Sequence, residues 1–83
     1  MTSGEARARA EAAARGEEAA AEAYRLTRIG YESGKSSLLE LTAARRAVTD
    51  TQIRTLEAQL ARVRAEAALA RLQGRAPFGD RLP

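Results

Sequence analysis

Apolar residues in the second half of the chain recur at alternating spacings of three and four. Ile53, Leu56, Leu60, Val63, Ala67 and Ala70 form one such seam, the heptad period of a helix in a coiled coil. Upstream, Leu38, Leu41, Ala44 and Val48 form a second seam, which does not run into the first without a shift between Val48 and Ile53. A stripe that drifts in this way implies partners on more than one side of the helix, or a change of supercoil along it. That is more than one hairpin satisfies. The first half of the chain is built from helix formers almost throughout, with alanine along most of its apolar face and Tyr24, Leu26, Ile29 and Tyr31 crowded into the last two turns. The firmest packing is therefore expected near that end, and fraying at the amino terminus.

The helical pattern breaks at Ser33-Gly34-Lys35, where Gly34 suits the left-handed conformation that ends helices. It restarts almost at once, because Ser37 and Glu40 form the capping box Ser-Leu-Leu-Glu ahead of an apolar run. Thr2 and Glu5 fit the same box at the amino end, and Gly74 followed by Pro77 marks the far stop. The spacing predicts a first long helix over residues 1–33, a tight turn over 34–37, a second long helix over 38–73 and an irregular tail over 74–83. At the α-helical rise the second helix is roughly 54 Å long. A connection this short forces the two helices antiparallel, so the expected fold is all-α, a coiled-coil-like two-helix hairpin. Gly16 and Gly30 are weak points inside the first helix, each costing roughly 1 kcal/mol relative to alanine. Glu5 with Arg9, Glu11 with Arg15 and Arg28 with Glu32 stand four apart, the spacing of surface ion pairs.

Composition adds that the core is thin. Of 83 residues, 20 are alanine, against nine leucines, two isoleucines, two valines and three aromatics, Tyr24, Tyr31 and Phe78. Alanine supplies helix propensity but little transfer free energy, so self-association into a helical bundle is expected, a dimer forming an antiparallel four-helix bundle being the simplest. Cysteine and histidine are both absent, which removes disulfides, thiolate sites, the commonest general base and the commonest transition-metal ligand. Neither an enzyme nor a bound cofactor is expected. No apolar stretch is long enough to cross a bilayer, and the opening residues carry no export signal, so the chain as written is expected to stay in the cytoplasm.

The net charge of +3 is unevenly divided: residues 1–34 carry five arginines and six glutamates, net −1, and residues 35–83 carry nine basic and five acidic residues, net +4. Complementary charge is a modest bias toward antiparallel pairing. Nucleic acid is not an expected partner, since no aromatics are interleaved for stacking and no single basic stripe forms. Gly34-Lys-Ser-Ser37 invites comparison with phosphate-binding loops, but those carry four residues between their two glycines whereas Gly30 and Gly34 have three between them, and those follow a strand. Glu17, Glu18 and Glu22, like Glu40 and Asp50, read as solvated faces rather than metal ligands.

The order Tyr31-Glu-Ser-Gly34-Lys-Ser-Ser37-Leu-Leu-Glu40-Leu, then Ala-Arg-Arg-Ala47 and a long helix closing on Ala70-Arg-Leu-Gln-Gly74, resembles the outer-membrane factor family, the TolC-like channels of tripartite efflux pumps. It is most similar to the heavy-metal cation (CzcC-like) branch. The resemblance spans about residues 22–79 and lies on the second of the family's two periplasmic hairpins and its carboxy-terminal tail, whereas the first 20 residues match only in character. It implies an outer-membrane and periplasmic parent protein, in which hairpins of several protomers pack into a helical tunnel and their turns meet a membrane-fusion adaptor. Carried over by position, Tyr31, Gly34, Lys35, Ser36 and Ser37 would be the adaptor-docking tip, and Glu40 would face the pore. A second acidic position of the family is Ala43 here. The packing seam would run through Leu38, Leu41, Val48, Ile53, Leu56, Leu60 and Val63. Because the barrel strands and first hairpin of the family are not present, the chain is expected to be a fragment that does not transport alone. The alternative is a free-standing cytoplasmic coiled-coil interaction module, which the missing signal favours and the tip pattern does not.

Overall fold

Thr2 opens the first helix by accepting a hydrogen bond from the Glu5 amide at 3.1 Å, which satisfies one of the donors a helix start leaves free. In the computed structural model, which describes residues 2–74, this helix, α1, spans Ser3–Glu32 and the second, α2, spans Leu38–Leu72. The two lie antiparallel along most of their length, in a rod of 63 × 24 × 14 Å. No strand is present among the described residues. The all-α hairpin matches what the spacing predicts. Of the tail over 74–83 only Gly74 falls among the described residues; it has a φ of 76° and its amide reaches the Arg71 carbonyl, so it ends α2 as expected. Pro77 and Phe78 lie outside them.

The interface is a heptad seam of small residues. On α1 Ser3, Ala6, Ala10, Ala13, Glu17, Ala20, Tyr24 and Thr27 are withdrawn from solvent at spacings of three and four, with Ala14 half-buried beside them. On α2 Leu41, Ala44, Val48, Thr51, Thr55, Ala58, Arg62 and Ala65 follow the same rhythm, and Ala61, Ala67 and Ala70 beside them are half-buried as well. The upstream seam of α2 thus continues past Val48 through Thr51 and Thr55 without a shift. Small side chains let the helix axes approach closely, and the Thr55 hydroxyl uses that proximity: it donates to the Thr51 carbonyl in its own helix at 2.9 Å and to the Ala13 carbonyl across the interface at 3.2 Å.

The most buried residues are Ala6, Ala10, Thr55 and Ala58, all remote from the turn. This corrects the expectation of firmest packing near the turn. The reason is geometric: Leu26 and Ile29 carry bulk but lie on the outer side of α1, more than half exposed, whereas the alanines lie on the seam. On α2, Leu41 and Val48 turn toward α1, half-buried, while Leu38, Ile53, Leu56, Leu60 and Val63 face outward.

Ion pairs form within each helix and not between them among the described residues. Glu22 meets Arg25 at 2.7 Å, Arg28 meets Glu32 at 3.0 Å and Arg62 meets Glu66 at 2.9 Å. Glu5–Arg9 and Glu11–Arg15, which the spacing also allows, are not made. All three observed pairs are solvated, so screening by water leaves them little weight in stability. The Arg25 hydrogen bond nonetheless holds the Glu22 carboxyl below its usual range.

Candidate functional site: the hairpin tip

The turn is held by two interlocking caps. Gly34 adopts a φ of 80° just past the end of α1, and its amide donates to the Tyr31 carbonyl at 3.1 Å. The next two amides, of Lys35 and Ser36, both donate back to the Gly30 carbonyl, at 2.7 and 3.0 Å. The bonds from Gly34 and Lys35 make the Schellman closure, which needs a residue tolerant of the left-handed region at Gly34. The Ser33 hydroxyl donates to the Gly30 carbonyl as well, at 3.1 Å. On the far side of the turn, Ser37 accepts from the Glu40 amide at 3.0 Å, and a Glu40 carboxylate oxygen accepts from the Ser37 amide at 3.3 Å and hydroxyl at 3.1 Å. That is the reciprocal capping box expected for Ser37 and Glu40.

Every amide from Gly34 to Ser37 is therefore already bonded to the chain. This is why Gly-Lys-Ser-Ser does not act as a phosphate cradle, a role that requires those amides to point at the ligand. What the tip offers outward is side chains. Tyr31 is 41% exposed, and the Lys35 ammonium is exposed with no bond inside the described residues. Ser36 is half-buried, its side chain turned back over Gly30. Glu40 is exposed, but its carboxylate is engaged by Ser37.

Gly30 is a residue whose role sequence reading missed, having marked it only as a weak point. A Cβ placed there would collide with the Ser36 Oγ and sit 3.3 Å from the Ser36 Cβ. A signal was present, since Gly30 stands four residues before the capping Gly34, at the position whose carbonyl closes a Schellman turn. Gly30→Ala is expected to destabilise the hairpin even though alanine is the better helix former by about 1 kcal/mol. In a Ser36→Gly background, where the obstruction is gone, the same change is expected to stabilise by about that amount. Thermal denaturation of the four variants reads this directly; equal effects in both backgrounds would refute the contact. Thr55, the cross-helix donor, also went unnoticed, because nothing in its spacing distinguishes it from other exposed-type polar residues.

Among the described residues no group of three or more acidic side chains converges, and no helix is long and apolar enough to cross a membrane. Two capped long helices with an ordered short tip fit a helical hairpin module, and a family model described as outer membrane efflux protein matches residues 1–75. The chain belongs to the outer membrane efflux protein family. Members of that family are channels rather than enzymes, and the family is one of outer-membrane proteins. The match includes the alanine-rich first 20 residues, which the residue-level resemblance covered only in character, and it ends at residue 75, two residues into the expected tail. No curated protein and no solved structure matches the chain.

Proposed function

We propose that the chain is the adaptor-facing periplasmic hairpin of an efflux channel subunit of the heavy-metal cation type, that its tip docks a membrane-fusion adaptor, and that it self-associates through its outer apolar faces. The observation carrying the docking reading is the division of labour at the tip. All backbone amides from Gly34 to Ser37 are satisfied internally, the turn is small-residued, and Tyr31 and Lys35 project free side chains. A partner helix can thus approach the turn closely and meet an aromatic ring and a cation without competing for the caps that hold the fold. In this reading Glu40 lines the pore just behind the tip, its carboxylate oriented by Ser37. The heavy-metal assignment rests on the turn pattern from Tyr31 to Leu41, and the chain is a part of the channel that does not conduct by itself.

The test is binding of the chain to the hairpin of the adaptor, with Lys35→Glu and Tyr31→Ala as variants. Neither side chain takes part in a described cap, so both variants keep wild-type helicity. Each is expected to weaken binding by about tenfold, the effect of removing one well-placed contact. Binding that is unchanged in both variants refutes the tip as the docking site.

A further inference from the structure

The hairpin has two outer faces, and they fit each other in size and in charge. On α2, Ile53, Leu56, Leu60 and Val63 stand about half or more exposed on the side away from α1. On α1, the stripe away from α2 runs at spacings of three and four through Ala8, Ala12, Arg15, Ala19 and Glu22, all exposed. The bond from Thr55 to the Ala13 carbonyl sets the scale, because residues at one height along the hairpin have numbers that sum to about 68. Leu56 is thus level with Ala12 and Leu60 with Ala8, so α2 is bulky where α1 is small. Near the turn, exposed Leu39 is level with exposed Ile29.

From this we infer that copies associate head to tail, the outer face of α2 lying on the outer face of α1 of the next copy, side by side with their tips level. The inference rests on the self-association proposed above and adds its faces, direction and register. Large side chains of one helix then enter the grooves that small ones leave on the other. An α2 face on a second α2 face would set bulk on bulk, and would bring the net +4 of residues 35–83 against itself rather than against the net −1 of residues 1–34. Single charges fix the register. With tips level, Glu57 at the edge of the α2 stripe meets Arg9 of the next copy, and Arg46 meets Glu22 of the next copy, which within its own chain is held by Arg25. Arg9, Arg46 and Glu57 are exposed and make no ion pair within the chain. Sliding one copy by a heptad sets Arg46 against Arg15 or Ile29 instead. A head-to-tail contact leaves a free face at each end, so assembly passes beyond the two-copy bundle that composition suggests and continues until it closes on itself or remains an open row. One helix face from each copy is a small interface, so dissociation in the micromolar range is expected.

Sedimentation equilibrium of the whole chain and of two blocked variants tests it. Leu56→Glu blocks the α2 face and Ala12→Glu the α1 face, both at exposed sites that leave the hairpin folded by circular dichroism. The unmodified chain is expected to form species larger than a dimer and each variant alone to stay monomeric. An equal mixture of the two variants is expected to form a dimer and nothing larger, since one complementary pair of faces remains between them. Glu57→Arg or Arg9→Glu alone is expected to weaken association by about fivefold, and the two together to restore it. Since the chain has no cysteine, Leu60→Cys should cross-link to Ala8→Cys in a mixture, and neither to itself. A monomeric unmodified chain at high micromolar concentration overturns both self-association and this geometry. Assembly of either blocked variant by itself, a mixture of them that stays monomeric, or a Leu60→Cys chain that cross-links to itself overturns the geometry while self-association stands.

Discussion

Enlarging Ala58 to leucine is expected to destabilise the hairpin by about 2 kcal/mol, within the usual range for overpacking a close-fitting site. Ala58 is 4% exposed and sits on the seam where α2 meets the alanines of α1. Antiparallel pairing sets residues opposite one another when their numbers sum to 68, as Ala13 and Thr55 do, so Ala58 faces Ala10, itself 7% exposed. A leucine there has nowhere to turn and must push the axes apart, which also lengthens the bond from Thr55 to the Ala13 carbonyl. Trimming Leu39, a larger residue but 79% exposed, to alanine is expected to change stability by less than about 0.5 kcal/mol. Chemical denaturation of the two variants at low protein concentration gives the comparison; a larger cost at Leu39 than at Ala58 would mean that the helices do not meet on the alanine seam.

Replacing Gly34 is expected to have the next largest effect, and to depend on the new residue's tolerance of positive φ rather than on its size. A Cβ at Gly34 meets nothing within 4 Å, so the cost is conformational alone. With a φ of 80°, Gly34→Asn is expected to cost least, Gly34→Ala about 1 kcal/mol and Gly34→Val about 2 kcal/mol or more, since β-branching is most strained in that region. Melting temperatures of the three variants should fall in that order. If Gly34→Val melts with the unmodified chain, the turn does not use the left-handed conformation.

The turn was readable because everything that builds it is local. Gly34, Ser37 and Glu40 act on partners three to five residues away, so the residue types and their spacing state the interaction outright. The helix ends at Glu32 and Leu72 are set by cap bonds of the same short range. The candidate docking residues were legible only as a pattern: the structure adds that Ser36 is folded back over Gly30, which leaves Tyr31 and Lys35 as the outward side chains.

What the sequence determined by itself is thus the existence, ends and antiparallel sense of the two helices, because capping and turn chemistry are written within a few residues. Only the tertiary structure decided which face of α2 meets α1. Two heptad-spaced stripes compete for that role, and hydrophobicity favours the one through Ile53, Leu56, Leu60 and Val63. The stripe that packs is the smaller one, through Val48, Thr51, Thr55 and Ala58, since α1 offers mainly alanine and two such surfaces gain most by close approach. That choice depends on the match between residues some 40 positions apart, as in the bond from Thr55 to Ala13, and it leaves the larger side chains outside, available to a second copy.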